Sequence, residues 1–331
     1  VRIICSLVAI VLMLTACSSR EVVIVYSPHG PDILSDYEKR FEAAHPEVDV
    51  QWLDLGSKTI FQRVRAERNR PAADVWWGAP ATMFIQAADE GLLAEYKPTW
   101  AGAVPAQYRG ENNEWYGIYA SPLGIAYNTG GNSDDTVPQA WDDLLAPEWH
   151  NKITIRQPLE SGTMRTFIGA TIMREGGVEE GLAWLRKLDA ATEAYMPNPQ
   201  QLYDHMKRNP ELITVWLMPD IALQRERHGY PLKTYIPPQT PVILEGIAII
   251  EDAPNREWAE RFYEFVTAPD ALVHQAEEYW KAPVRIDLDR ATLPEWLAQR
   301  ETDILEINWR EFAQKEEDWA NLWREKVKGG S

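Results

Sequence analysis

The chain has 331 residues, 45% hydrophobic, 11% aromatic and 25% charged, with a formal net charge of −17. These proportions exclude a wholly disordered chain, and the length predicts two domains more readily than one. The acidic balance excludes a basic face for nucleic acid or for a polybasic membrane contact.

Arg2 opens the chain with positive charge, residues 3–14 are almost wholly apolar, and Leu14-Thr15-Ala16-Cys17 follows. The apolar run is too short to span a bilayer and reads as a signal-peptide core. Leu-Thr-Ala-Cys resembles the bacterial lipobox, whose Cys becomes diacylated. The expectation is a signal peptide over 1–16, lipid on Cys17, a tether over 17–21 and anchoring to the cell envelope, facing the periplasm or the outer cell surface. Cys5 and Cys17 are the two cysteines. Neither is then left for a disulfide, a metal site or a nucleophile.

Residues 22–26 (VVIVY) are continuously apolar and β-branched, as in a strand buried on both faces of a parallel sheet. Ser27-Pro28-His29-Gly30-Pro31 breaks it, and Ile33, Leu34, Tyr37 and Phe41 recur at helical spacing. A strand over 48–53, a helix opening at Gly56-Ser57 and a strand over 73–78 continue the alternation, which predicts an α/β domain with parallel strands. Residues 116–127 form a long strand. After Trp141 a second α/β series is predicted: a strand over 152–156, helices over 162–175 and 179–188, and a strand over 212–218. Residues 242–250 form another long strand, so two strands are expected to cross between lobes. Everything past Asn255 reads as helical, and Leu305, Trp309, Phe312, Trp319 and Trp323 keep the register of a core-docking stripe.

Ligands of such domains sit beyond the carboxyl ends of the parallel strands, where helix N-termini point. That rule singles out four loops. Ser161-Gly162-Thr163 opens a helix after a strand and offers free N–H groups, two hydroxyls and room for an anion, or serves as an ordinary cap. Arg156 and Arg165 stand nearby, facing either the ligand or solvent. Ser57 admits the same two readings. Ser27, Pro28 and His29 form the first loop, where His29 is a candidate hydrogen-bond donor. In the third loop, strand alternation puts Trp76 and Trp77 on opposite faces, and we expect Trp77 at the cleft and Trp76 in the core.

VYSPHG at 25–30, ADVWWGAP at 73–80, SPLGIAYNT at 121–129, WDDLLAPEWHNKI at 141–153, PLESGT at 158–163 and EGIAIIEDAPNREWAERFYEFV at 245–266 carry a further signal in their order and spacing. With them the chain resembles the extracellular solute-binding lipoproteins of bacterial ABC importers, in the branch of ferric-iron, thiamine, polyamine, phosphonate and sugar-phosphate binders. The resemblance implies an α/β, two-lobed type II periplasmic-binding-protein fold, hinged by two crossing strands. The expected lobes are 22–121 with 245–275, and 122–244; the lobe of the helices over 276–331 is left open. In phosphate- and phosphonate-binding relatives a Ser-Gly-Thr here looks like an anion cradle. Ferric-binding relatives place adjacent tyrosines around position 216. Trp216 cannot coordinate iron, so it is expected to be a stacking platform or a core residue. Glu245, acidic inside an apolar run, is expected either to take a cationic ligand group or to pair with an Arg at the hinge, with Asp74 and Asp220 as candidate companions. An acid facing the cradle would suit a zwitterion such as an aminophosphonate.

The expected function is capture of a small phosphorylated or phosphonate solute by a monomeric, non-enzymatic binder for an ABC permease and its ATPase. No cofactor, metal or nucleic acid is expected. The alternatives are a polyamine, a thiamine-like cation or ferric iron in the same transporter class and, distantly, a lipid-anchored glycoside hydrolase with a carboxylate pair. The sequence has no G-x-S-x-G, H-E-x-x-H or P-loop motif, and its histidines lack i, i+4 pairing.

Overall fold

The computed structural model describes residues 20–298 and 303–329. The expected signal peptide and Cys17 lie outside the described residues. The first half of the chain runs β1 (Glu21–Ser27), α1 (Pro31–Ala44), β2 (Val48–Asp54), α2 (Ser57–Ala66), β3 (Val75–Pro80), α3 (Ala81–Asp89) and β4 (Tyr116–Asn128). The second series is β5 (Ile153–Arg156), α4 (Gly162–Arg174), α5 (Val178–Ala191), β6 (Thr192–Met196), α6 (Pro199–Arg208), β7 (Ile213–Leu217), α7 (Met218–His228) and β8 (Leu232–Tyr235). Then follow β9 (Thr240–Ile249), α8 (Arg256–Val266), α9 (Pro269–Tyr279), α10 (Glu295–Ala298), β10 (Ile304–Leu305) and α11 (Trp309–Lys326).

The main strand order is β2-β1-β3-β9-β4-β7-β5-β6. In lobe 1, β1 lies parallel to β2 and β3; in lobe 2, β5 lies parallel to β6 and β7. β4 and β9 pair with each other and run antiparallel to their other main-sheet neighbours. These are the two crossing strands. β4 pairs with β9 up to Pro122 and with β7 from Leu123 onward. Core membership changes at a matching place on β9: Ile243 belongs to the lobe 2 cluster and Leu244 to lobe 1. Lobe 1 carries an apolar layer on each face of its sheet, one around Phe41, Trp77 and Phe262, the other around Phe61, Trp76 and Phe84.

That two-faced burial corrects one expectation. Trp76 and Trp77 do point to opposite faces, but helices cover both, and each ring is 0% exposed. Trp77 packs edge-on against Tyr37 and Phe262 in the core instead of facing the cleft. The C-terminal region is not helical throughout. Trp280, at φ 53, ends α9 in a left-handed turn. The following segment runs beside β4, where Ala282 accepts a hydrogen bond from the Ala120 N–H and Pro283 bridges Tyr119. Leu305 lies in the short β10, outside the helical stripe. Trp309, Phe312, Trp319 and Trp323 do lie on α11 and are buried, Trp309 against lobe 1 and the other three against lobe 2. Besides β10, the elements not expected from the sequence are α3, β6, α6, α7 and β8.

Candidate functional site

A cavity of about 550 Å3 lies between the lobes. Six parallel strands end at its wall, and the helices that follow them begin there: α1 at Gly30-Pro31, α2 at Gly56-Ser57, α3 at Pro80, α4 at Ser161-Gly162, α6 at Asn198-Pro199 and α7 at Leu217. The sequence punctuates each junction. Pro28, Pro158, Pro199 and Pro219 stop strands or open helices, and Gly30 makes the first turn at φ 82. Helix N-termini present unpaired N–H groups and the positive ends of peptide dipoles, so their convergence favours an anion.

The predicted cradle lies on this wall. Ser161 is the N-cap of α4, its hydroxyl accepting from the Met164 N–H at 3.3 Å, which leaves its own O–H to donate elsewhere. Thr163 and Ser57 line the cavity, and neither hydroxyl has a hydrogen-bond partner among the described residues. Gly162 approaches the other lobe: a Cβ there would stand 3.0 Å from Met83 Cε and 3.1 Å from Pro80. Its missing side chain lets the lobes close as much as it admits a ligand.

Arg156, the last residue of β5, also lines the cavity. It is only 7% exposed, yet its guanidinium makes one hydrogen bond, to the Met196 carbonyl at 3.3 Å, and no ion pair. Burial pulls its pKa below the ordinary value, with Glu160 pulling the other way. A buried cation with no bonded counter-ion is costly. Arg165 differs. It is buried and bound to Glu317 at 2.5 Å, so it serves the fold.

Glu245 stands at the hinge end of the cavity with every bond taken. His29 Nε2 donates to Oε2 at 2.9 Å, Lys281 Nζ approaches both oxygens at 3.3 and 3.5 Å, and the Ser121 hydroxyl donates to Oε1. Burial pushes this carboxyl up, but Lys281, His29 and Ser121 together hold it at about 2. Burial, reinforced by Lys281, lowers the His29 pKa, and Nε2 is the donor because its partner is a carboxylate. The ring stands edge-on to Trp77 at 5.3 Å and fills the space a Gly78 side chain would need, 2.4 Å from a Cβ there. Gly78, at φ 93, supplies both the turn and that room. Ser27 is fully buried and lies behind the wall, accepting from the His29 N–H at 3.2 Å. Of the two readings of Glu245, the geometry favours pairing at the hinge, but with Lys281 as the cation in place of the expected arginine.

Trp216 faces the cavity. Its Nε1–H donates to the Tyr203 hydroxyl at 2.9 Å and to Asp220 at 3.2 Å. Asp220 has no other hydrogen bond, and burial raises its pKa to about 6 against the pull of Lys281. Asp74 is remote, bound to the Ile24 and Asn255 N–H groups. Among the remaining acids of the wall, Asp32 is paired with His228 at 2.7 Å, while Asp54 and Glu160 are exposed at the rim. Among the described residues, the interior therefore holds one under-partnered cation, Arg156, and one under-partnered carboxylate, Asp220. Sequence reading missed Lys281; its trace is a lone Lys in Trp280-Lys281-Ala282-Pro283. Among the described residues no group of three or more His, Cys, Asp and Glu could hold a metal ion.

The family model described as bacterial extracellular solute-binding protein matches residues 73–314. A probable ABC transporter periplasmic-binding protein of Sinorhizobium fredii, y4fP, is 25% identical over 309 residues, covering 89% of this chain and 83% of its own. A putative 2-aminoethylphosphonate-binding periplasmic protein of Salmonella typhimurium is 27% identical over 297 residues, covering 82% of this chain and 81% of its own. In fold, the chain matches the periplasmic binding protein AfuA from Actinobacillus pleuropneumoniae, solved with exogenous fructose-6-phosphate bound. The TM-score is 0.82 at 22% identity, over 94% of this chain and 100% of that one.

Proposed function

This chain belongs to the bacterial extracellular solute-binding proteins, the exported substrate-binding components of ABC importers, and on that premise we propose that its ligand is a small organic phosphate or phosphonate. The buried, unpaired guanidinium of Arg156 carries this reading. Around it the α2 and α4 N-termini and the hydroxyls of Ser57, Ser161 and Thr163 supply neutral donors to the same anion. A cavity of about 550 Å3 suits a metabolite-sized solute.

Asp220 adds a second feature to the ligand. A carboxylate beside the Trp216 and Tyr203 rings seats an ammonium group, through charge and through the aromatic faces. A solute bearing both groups, an aminoalkyl phosphonate or phosphate, satisfies both unpaired charges at once. The relative named for 2-aminoethylphosphonate agrees with that chemistry. Ferric iron fits less well, because burial drives the Tyr203 phenol well above its ordinary pKa and Trp216 already donates to it. Lipid on Cys17 would keep the binder near its permease; intact-mass measurement of the membrane-extracted chain, beside Cys17→Ser, tests that.

The experiment is a thermal-shift panel of 2-aminoethylphosphonate, ethylphosphonate, fructose 6-phosphate, putrescine, thiamine and ferric citrate. A ligand at a hundred times its dissociation constant adds about 2.7 kcal/mol, well within detection. The reading expects shifts with phosphorus compounds, largest with the aminated one. Shifts confined to putrescine, thiamine or iron overturn it.

A further inference from the structure

α11 lies outside the ligand cavity, and none of its residues lines it. It touches both lobes, but in different ways. Toward lobe 2 it lays three aromatic rings, Phe312, Trp319 and Trp323, into the core. Gly169 of α4 makes that fit close: a Cβ there would lie 2.4 Å from the Phe312 ring and 2.7 Å from Trp319. Toward lobe 1, only Trp309 and Ala313 are buried in the apolar layer. The rest of that contact is polar. Thr82 donates to Glu316 at 3.1 Å, the Gln86 amide donates to the Ala313 carbonyl at 3.2 Å, Lys58 meets Glu317 at 3.1 Å and Arg310 meets Asp89 at 3.1 Å. Just upstream, β10 pairs with Thr240 and Pro241 of the crossing strand β9, so the helix hangs from the hinge.

Apolar packing without voids is lost whole when it separates, whereas polar contacts exchange for water at little net cost. The weaker seam is therefore the one to lobe 1. We propose that α11 is a closure strap that travels with lobe 2, and that Glu316 and Glu317 engage Thr82 and Lys58 of lobe 1 when the cleft shuts and leave them when it opens. This inference goes beyond the ligand assignment and does not depend on it.

The strap makes closure sensitive to pH. We take this structure, with Gly162 of lobe 2 against Pro80 and Met83 of lobe 1, as the shut form. In it Glu316 is 2% exposed, and burial raises its carboxyl to about 7 despite Arg165, Thr82 and Lys58, with Glu317 acting in the same direction as burial. Opening returns the carboxyl to water and toward its ordinary range. Between that range and about pH 7 the shut form holds a proton the open form has released, so the shut form weakens as pH rises through this window. The charged groups facing Glu316 are Arg165 on α4, Lys58 on α2 and Glu317 on α11 itself, with Thr82 on α3 as its donor.

The test reads lobe positions, since ligand affinity also carries the titrations of Asp220 and of the ligand. With Cys5→Ser and Cys17→Ser as background, spin-label pairs are placed at Lys39→Cys and Lys187→Cys, Lys315→Cys and Lys187→Cys, and Lys315→Cys and Lys39→Cys. Distances are measured by double electron–electron resonance at about pH 5.5 and 8, without ligand and with 2-aminoethylphosphonate. The 315–187 distance should stay fixed while 315–39 and 39–187 change together. The shut population without ligand should fall several-fold from the lower to the higher pH. Glu316→Gln should keep it high at both, and Lys58→Met should lower it at both while leaving 315–187 unchanged. A mobile 315–187 distance with a fixed 315–39 distance overturns the strap, as does a ligand-free population indifferent to pH and to Glu316→Gln. Failure of 2-aminoethylphosphonate to shift 39–187 counts against the ligand assignment and leaves the ligand-free comparison to decide the strap.

Discussion

The two ends of the cavity hold buried charge in opposite ways. At the hinge end, Glu245 is met by Lys281, His29 and Ser121, all bonds within the chain. At the lobe 2 end, Arg156 has little exposed surface and is met by a single backbone oxygen. The difference separates a charge satisfied within the fold from a charge that, on the proposed function, is met by the solute. Burial alone does not make a binding residue; burial without a partner at a cavity wall does.

The largest effect should come from breaking the partnered end. Lys281→Met leaves Glu245 buried without its main counter-charge, and loss of about 3–5 kcal/mol of stability is expected in urea unfolding. If that variant unfolds normally but no longer binds, Lys281 is a ligand group and the contrast fails. At the other end, Arg156→Met should weaken phosphonate binding by about 2–4 kcal/mol, roughly 30- to 1,000-fold in calorimetry. Its melting temperature should hold or rise, because an unpaired buried cation has gone. A fall in stability with intact binding would make Arg156 structural.

Asp220→Asn sharpens the contrast within the site. It should weaken an aminated phosphonate by about 1–2 kcal/mol, on the order of tenfold, while leaving the des-amino compound nearly unchanged. The wild-type preference for the amine should also depend on pH. Asp220 titrates at about 6, so below that value it is neutral and the preference fades; above it the preference is full. The Asn variant should show no such slope. The smallest effect belongs to Gly162→Ala. Its Cβ meets Pro80 and Met83 across the cleft, so strain appears in the shut form and affinity should drop by about 1 kcal/mol or less, a few-fold, at an unchanged melting temperature.

Much of the fold was legible because β1, β3, β4 and β9 are rich in apolar residues, despite Ser121-Pro122 in β4 and Glu245 in β9, and because α1 and α2 bury one clean stripe. α6 was missed although Leu202, Tyr203 and Met206 of PQQLYDHMKR repeat the spacing of Ile60, Phe61 and Val64 in α2; the rest of the segment is polar and its start is marked by Asn198-Pro199 alone. β8 buries only Leu232 fully, too little for a strand signal. In the site, helix starts were readable because caps and prolines are local chemistry, which is how Ser57 and Ser161-Gly162-Thr163 were found. Partnership was not readable. Arg156 and Arg165 look equivalent in sequence, and only the approach of Glu317 to one of them distinguishes the pair. Lys281 reaches Glu245 through a left-handed turn at Trp280, a conformation that side-chain type does not announce. Trp77 misled because alternation names two faces of a strand without saying that helices cover both.

The most direct test of the central claim is 31P nuclear magnetic resonance of 2-aminoethylphosphonate and of fructose 6-phosphate, titrated with wild-type protein and with Arg156→Met. The account predicts a shifted or broadened phosphorus line with the wild type for at least one compound, and an unperturbed line with the variant at the same concentrations. A phosphorus line equally perturbed by both proteins, or by neither, contradicts the assignment of Arg156 as the anion's partner.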